Sequence, residues 1–296
     1  MATLRDIKRR IQSVKKTAQI TKAMKMVAAA KLRRIQQALE NTRPYAQKMD
    51  QVIGDLVRQS EEAAHPFMEE RPGPRKLDLV VIATDRGLCG GLNTNLFRQT
   101  MGFVRENREA YAQIELSLIG RKARDYFKRR EVKIKNSRGQ VLPGKAEFEL
   151  VKPVARELIR SFLSGEADEV GVLFTKFQSV MTQRPNYIKL LPLPRTREGA
   201  PAGQAGTAGA AGEYIYEPSR DKLLEKLLPR HIEVRLYWAM LESLTSEFAA
   251  RMTAMDSATS NARDMIDRLT LTFNRARQAT ITKELMDIVN GAEALR

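Results

Sequence analysis

Apolar residues recur at coiled-coil spacing through the C-terminal part of the chain. Between Arg230 and Asn290 there is neither proline nor glycine, and a helix of that length would span roughly 90 Å. The seam of every seventh residue consists of Leu241, Phe248, Met255, Ala262, Leu269 and Ala276, with Leu244, Ala258, Met265 and Ala279 at the intervening spacing. A seam this long predicts a partner helix.

A second seam at the N-terminus supplies that partner. Between Met1 and Arg43 no residue breaks a helix, and the apolar or small positions again lie three or four residues apart. They are Leu4, Ile7, Ile11, Val14, Ala18, Thr21, Ala28, Leu32, Ile35 and Leu39. We therefore predict a long antiparallel coiled coil of the terminal helices, with a separate domain inserted where the hairpin would turn.

The middle of the chain alternates between strand-like and helix-like patterns. The predicted strands are 77–84, 114–119, 132–135, 169–174 and 187–191, and the predicted helices are 93–111, 121–130 and 147–163. This alternation predicts an α/β fold of Rossmann-like type with a mainly parallel sheet. The predicted segments are an N-terminal helix over 1–60, the inserted domain over 76–195, a flexible Gly/Ala-rich loop over 196–213 and a C-terminal helix over 214–296.

Two prolines fall within the helical patterns. Pro44 is expected to kink or interrupt the first helix, which then resumes over 45–59. Pro229 is expected either to kink a helix that begins near Ser219 or to start the long C-terminal helix.

Charge is distributed unevenly between the two terminal helices. The chain has a formal net charge of +16, and residues 1–34 hold eleven Lys or Arg against Asp6 alone. Residues 230–296 hold nine charges of each sign. This bias predicts an anionic partner for the first helix, which leaves an acidic protein surround and a nucleic acid as alternatives. The first helix has no aromatic residue to stack bases, and no DNA-binding module is recognisable.

Candidate chemistry in the chain is weak. The loop Asp85–Asn93 follows a strand and opens a helix, but it matches neither GxGxxG nor a P-loop, so a tight turn is favoured over nucleotide binding. Segment 139–146 reads GxxxxGK but ends in Ala146, which lacks the Mg²⁺-binding hydroxyl. His65 and His231 have no accompanying metal-ligand pattern. We therefore expect no cofactor, no metal site and no catalysis by this chain alone.

The single cysteine, Cys89, excludes an internal disulfide and indicates a reducing compartment. It is interpreted as a small residue in a turn, since no histidine is predicted near it to activate it as a nucleophile. No apolar run is long enough to span a bilayer, and no signal-peptide core is present, so a soluble or peripheral protein is expected.

Several motifs resemble one known family. These are 20–29 (ITKAMKMVAA), the loop 85–93, the segment 214–218 (YIYEP) and above all Ile281-Thr282-Lys283-Glu284 followed by Asp287 and Gly291-Ala292. Together they resemble the gamma subunit of the bacterial rotary (F-type) ATP synthase, over essentially the whole chain. The Gly/Ala-rich loop that ends at Gly212 is not part of the family pattern.

The resemblance implies a non-catalytic central shaft that transmits torque between a proton-driven membrane c-ring and the catalytic beta subunits. It implies contacts of Met24, Lys25, Arg277, Gln278 and Thr282 with the ring of alpha and beta subunits. It also implies contacts of Tyr214, Tyr216 and Glu217 with the epsilon subunit and the c-ring. The implied location is the cytoplasmic face of the bacterial inner membrane, with indirect membrane association and no nucleic acid. A basic coiled-coil nucleic-acid-binding protein remains the alternative.

Overall fold

The computed structural model describes residues 3–58, 65–71, 73, 75–139, 147–194 and 220–293. In chain order the helices and strands of these residues are α1 (Leu4–Arg58), β1 (Arg75–Ile82), α2 (Leu92–Glu106), β2 (Tyr111–Ile119), α3 (Arg121–Phe127), β3 (Lys133–Arg138), α4 (Lys152–Leu163), β4 (Glu169–Phe177), β5 (Gln183–Leu191) and α5 (Arg220–Glu293). Short 3-10 helices occur at Pro66–Met68 and Phe148–Leu150. The predicted class, an α/β fold with long terminal helices, is confirmed.

The five strands form one sheet in the order β3-β2-β1-β4-β5. The strands β3, β2, β1 and β4 are parallel, and β5 pairs antiparallel with β4. A helix separates each successive pair of parallel strands, as a parallel crossover requires. The direct turn from β4 to β5 makes an antiparallel hairpin instead. The prediction of a mainly parallel sheet is therefore confirmed.

The chain divides into two compact units. One unit comprises residues 1–30 and 251–296, and the other comprises residues 31–250. The segment boundaries drawn from the sequence stay a prediction, and the Gly/Ala-rich loop 196–213 lies outside the described residues.

The larger unit, residues 31–250, buries both faces of the sheet. Alternate strand residues point to opposite faces, so Leu79 and Val81 pack with α2 and α3, while Val80 and Ile82 pack with α4. The cluster on the α4 face also contains apolar residues of α1 and α5. These are Met49, Ile53, Leu56, Leu224, Leu228, Ile232, Leu236 and Met240. The terminal helices thus complete the core on one face of this sheet.

The smaller unit is an antiparallel pair of helices. Thr21 contacts Thr259 and Lys25 contacts Asp256, so the residue numbers rise along α1 while they fall along α5. The seam predicted for α1 is confirmed, with Ile7, Thr21 and Ala28 buried.

The seam predicted for α5 is wrong at Met265 and Ala279. Met265 is 47% exposed and Ala279 is also exposed, whereas Ile266 and Phe273 are partly buried. From Met255 onward the covered positions are 255, 258, 259, 262, 266, 269, 273 and 276, and after 259 they follow steps of three and four residues. A step of four rather than three after Ala262 moves the stripe to Ile266, since a helix has 3.6 residues per turn.

Both helical prolines lie inside continuous helices. Pro44 is within α1, so the expected interruption does not occur, and α5 begins at Arg220, so Pro229 does not start it. A proline inside a helix removes one backbone hydrogen bond and crowds the carbonyl four residues earlier, at a cost of about 3 kcal/mol. Buried residues beyond each proline, such as Met49 and Ile232, pack in the core and hold the helix together. Within the described part of the chain, no helix combines the length and apolarity needed to cross a membrane.

Candidate partner-binding surface

The last described turns of α5 have an uncovered surface. At the register set by Thr21 and Thr259, the start of α1 lies opposite about Ala276, which is the last partly buried residue of α5. Residues 277–286 are all exposed, including the predicted contact residues Arg277, Gln278 and Thr282. The structure therefore places these three residues together on one helical segment that no other described part of this unit covers.

This terminal segment is apolar as well as polar. The side chains of Ile281, Leu285, Met286 and Ile288 are between 47% and 68% exposed. The hydroxyl of Thr282 donates to the backbone oxygen of Gln278 at 2.9 Å, so its free lone pairs can only accept. Exposed apolar side chains at successive turns are typical of a binding surface rather than of a solvated helix end. The family motif contains Ile281, but the contacts that the resemblance implied on this segment were the polar residues Arg277, Gln278 and Thr282.

The second predicted contact lies on α1. Met24 is partly buried, and the ammonium of Lys25 lies 2.6 Å from the carboxylate of Asp256 on α5. Both side chains of this ion pair are largely solvent-exposed, at 41% and 62%. Lys25 thus forms an ion pair with Asp256 within the chain.

An apolar stripe flanks these residues. Ile20 and Val27 are 60% and 56% exposed and lie four residues before and three after Met24, so all three share one face of α1. Ile20 and Val27 belong to the motif 20–29 and lie outside the predicted seam, but they were not predicted as contact residues. Their exposure in the structure agrees with the predicted seam, which places them away from α5.

The other predicted contacts are not described. Tyr214, Tyr216 and Glu217 lie outside the described residues, and so does segment 140–146 of the incomplete P-loop motif. Their roles stay predictions.

The loop Asp85–Asn93 is closed by its own side chains. The Asn93 side chain donates to Thr84 Oγ1 at 2.8 Å and accepts from the Thr84 backbone N–H at 3.3 Å. Thr84 Oγ1 in turn donates to the Arg86 oxygen, and Asp85 accepts from the Arg121 N–H. Leu88 and Gly90 both have left-handed φ values, 64° and 59°. These contacts stabilise a tight strand-to-helix turn.

The contacts of Cys89, His65 and His231 are those of residues that stabilise the fold. Cys89 is buried with Leu92 and Ala250. His65 accepts a hydrogen bond from the Phe67 N–H, and His231 is buried with its Nδ1 3.4 Å from Asp50. Among the residues that the structure describes, no cluster of His, Cys, Asp or Glu could hold a metal ion.

Comparison with known proteins identifies the class. Residues 3–295 match the family model described as ATP synthase. A gamma chain of ATP synthase from Anaeromyxobacter sp. strain Fw109-5 is 48% identical, and one from Geotalea uraniireducens strain Rf4 is 47% identical; both alignments cover 100% of each chain.

Solved structures agree on the fold. A chain from the rotational-state-3 structure of the Euglena gracilis mitochondrial ATP synthase covers 99% of this chain and 94% of its own length, with TM-score 0.65 and 20% identity. A chain from the central stalk and c-ring structure of the Tetrahymena thermophila enzyme covers 81% of this chain and 99% of its own length, with TM-score 0.57 and 25% identity. The fold and the matching family model define a subunit of an ATP synthase. The chain belongs to the ATP synthase gamma chains.

Proposed function

We propose that this chain is the non-catalytic central shaft of a proton-translocating ATP synthase. It transmits torque between the membrane c-ring and the catalytic subunits during ATP synthesis or hydrolysis. The observation that carries the proposal is the continuity of α5, which contributes residues 220–250 to the sheet-bearing unit and residues 251–293 to the two-helix unit. Because α5 belongs to both units, it can carry a rotation of the sheet-bearing unit to the two-helix unit. The relatedness to gamma chains favours this role over the nucleic-acid-binding alternative.

Nucleotide chemistry belongs, in this proposal, to the partner beta subunits. The strand-to-helix turn Asp85–Asn93 supports this assignment. The Asn93 side chain there accepts a hydrogen bond from the Thr84 backbone N–H and donates one to the Thr84 hydroxyl. A phosphate cradle needs backbone N–H groups that are free to point at the ligand.

The ring of alpha and beta subunits contacts two places on the two-helix unit, Met24 with Lys25 on α1 and Arg277 with Gln278 and Thr282 near the end of α5. A rotating shaft functions best with contacts that are weak at every angle, because a strong contact at one angle would oppose further rotation. Exposed charges such as Arg277 meet this need, because ion pairs at a solvated surface are worth only about 0–1 kcal/mol.

The other partners of the shaft are the epsilon subunit and the c-ring. We propose that Tyr214, Tyr216 and Glu217 contact them. Their place in the chain just before α5 supports this, because a load applied there enters α5 directly. The chain is then a peripheral component on the cytoplasmic face of the bacterial inner membrane.

The test of the contact surface is a double substitution, Arg277→Ala with Gln278→Ala, in the assembled enzyme. We expect reduced proton-driven ATP synthesis in membrane vesicles, because both side chains are exposed and only a partner can sense their loss. Arg268→Ala, at another exposed arginine of α5, is the matched control and should retain synthesis. Unchanged synthesis in the double variant would remove these two residues from the contact surface.

The test of the partners is purification of the tagged chain from its host after nuclease treatment. Nucleotide-binding subunits should co-elute with the tagged chain. Loss of all protein partners, with salt-sensitive retention of DNA or RNA, would support the nucleic-acid-binding alternative instead.

A further inference from the structure

The end of β4 extends beyond the strand beside it. β1 pairs with β4 only as far as Leu173, whereas β5 pairs with the opposite side of β4 as far as Phe177. The β1-facing backbone groups after Leu173 therefore have no strand to bond with. Unpaired backbone groups inside a protein cost free energy unless another group satisfies them.

One turn of α5 satisfies these groups with its side chains. Glu242 Oε2 accepts from the Phe177 N–H at 2.8 Å, Ser243 Oγ accepts from the Thr175 N–H at 3.4 Å, and Ser246 Oγ donates to the Thr175 oxygen at 2.9 Å. The three α5 residues are 4%, 8% and 0% exposed. A helix thus takes the place of a strand along this edge, and we call these three residues the edge clamp.

A carboxylate is an unusual choice for such a position. Burial raises the pKa of Glu242, and the Phe177 N–H, Lys176 and Arg43 act in the opposite direction. Since burying a carboxyl group costs free energy unless it is hydrogen-bonded, an apolar residue would be the simpler choice for holding the core together. The position of Glu242 has to be explained by what its hydrogen bond does.

α5 also makes apolar contacts with this face of the sheet. Leu236, Ala239 and Met240 belong to the cluster on that face of the sheet, and the Trp238 ring packs edge-on against Phe174 with centroids 5.6 Å apart. Apolar contacts are non-directional and depend on buried area, so they resist separation better than rotation. Hydrogen bonds have a narrow range of distance and angle and resist rotation.

We propose that the edge clamp of Glu242, Ser243 and Ser246 fixes the rotation of α5 about its own axis against β4. The clamp is then the place where torque enters α5 from the sheet. This inference rests on the proposed shaft function, and the three side chains are positioning residues rather than catalytic ones.

The experiment uses the assembled enzyme, with the catalytic ring immobilised and halted by a non-hydrolysable nucleotide. A probe is attached to the sheet-bearing unit at Met181→Cys, a site that is 80% exposed. The thermal angular variance of the probe then measures the torsional stiffness of the shaft. The variants are Glu242→Ala, Glu242→Gln and Ser246→Ala, with Glu225→Ala as the matched control because Glu225 is an exposed carboxylate of α5 in the same unit.

We expect Glu242→Ala to raise the angular variance at least about twofold, and Ser246→Ala to raise it less, because each loses a directional bond. Glu242→Gln keeps a side-chain oxygen as acceptor and should restore the original variance, a rescue that loss of charge alone would not give. Glu225→Ala should leave the variance unchanged. Ser246→Ala removes only a hydroxyl, so it carries the test if Glu242→Ala does not assemble.

Wild-type variance in whichever of Glu242→Ala and Ser246→Ala assembles would overturn the edge clamp. A rise of equal size in Glu242→Gln, or in the control, would also contradict it. The proposed shaft function fails separately, if the probe on the otherwise unchanged enzyme does not turn when ATP is supplied.

Discussion

Thr21 Oγ1 and Thr259 Oγ1 lie 2.7 Å apart in the buried interface of α1 and α5. Each hydroxyl also contacts its own helix, Thr21 at the oxygen of Ala18 and Thr259 at the oxygen of Met255. Small polar residues of this kind let two helices approach closely and fix their register. The register in turn determines which residues of the two-helix unit are available to partners.

The first prediction concerns this threonine pair. Thr21→Val should lower the free energy of unfolding by about 1 kcal/mol, which is typical for one buried hydrogen bond. The double variant Thr21→Val with Thr259→Val should cost little more than either single variant, since both partners are replaced by groups of the same shape. Denaturant unfolding of the four proteins in the cycle measures the coupling. Strict additivity would show that the two hydroxyls do not interact.

The second prediction concerns the ion pair of Lys25 and Asp256. Both side chains are largely exposed, so Asp256→Ala should change the free energy of unfolding by less than about 1 kcal/mol. If Lys25 also contacts the catalytic ring, Lys25→Ala should reduce ATP synthesis in vesicles more than Asp256→Ala does. Equal activity in the two variants would indicate that Lys25 acts only within the chain.

The third prediction concerns Gly120, between β2 and α3. Its φ is 98°, and a Cβ added there would lie 2.2 Å from the backbone oxygen of Ala83. Gly120→Ala should therefore destabilise the sheet-bearing unit by more than about 2 kcal/mol, because a backbone contact cannot move aside easily. Thermal unfolding by circular dichroism checks the shift.

Gly102 in α2 is the matched control for Gly120. The nearest atom to an added Cβ there is the end of the Glu106 side chain, at 3.9 Å. Gly102→Ala should be neutral or stabilise the helix by up to about 1 kcal/mol. A similar loss of stability in both variants would contradict the steric explanation.

The fourth prediction concerns His231, whose pKa is lowered to about 3 by burial and by the neighbouring Arg235. Asp50 lies 3.4 Å from the ring, but its side chain is 63% exposed and too well solvated to offset the burial. In the unfolded chain the pKa returns to about 6.5. The unfolded state thus binds the proton first as the pH falls, and stability is lost below about pH 6.5.

The expected loss from this one group between pH 7 and pH 5 is about 2 kcal/mol. Guanidinium unfolding at both pH values should show that loss in the unchanged chain and a smaller one in His231→Gln. The same pH dependence in both proteins would mean that His231 is not the responsible group.

The sequence predicted the structure well where burial produces a simple spacing of apolar residues. The apolar runs of β1 and β4 follow from the burial of both faces of the sheet, and the spacing of Ile7, Thr21 and Ala28 follows from one buried face of α1. The sequence was a poor guide where a second element decides. Met265 and Ile266 are equally apolar neighbours, and only the position of α1 selects Ile266 for burial.

Among the functional residues, too, some could be predicted from the sequence and others could not. Arg277, Gln278 and Thr282 could be selected from a motif, and the structure adds that the helix around them is exposed. Glu242 could not be selected, because a glutamate in a helix ordinarily indicates a solvated position. Its role depends on β4 extending beyond β1, which is a property of the sheet register rather than of the residues around Glu242.

The most direct measurement of the central proposal is the rotation of a probe attached to the Met181→Cys variant, through its introduced thiol, in an enzyme whose catalytic ring is fixed to a surface. When ATP is supplied, the probe should turn in one direction and in steps, because the sheet-bearing unit and the two-helix unit share the continuous helix α5. Sustained ATP hydrolysis with a stationary probe would contradict the proposal that this chain is the rotating shaft.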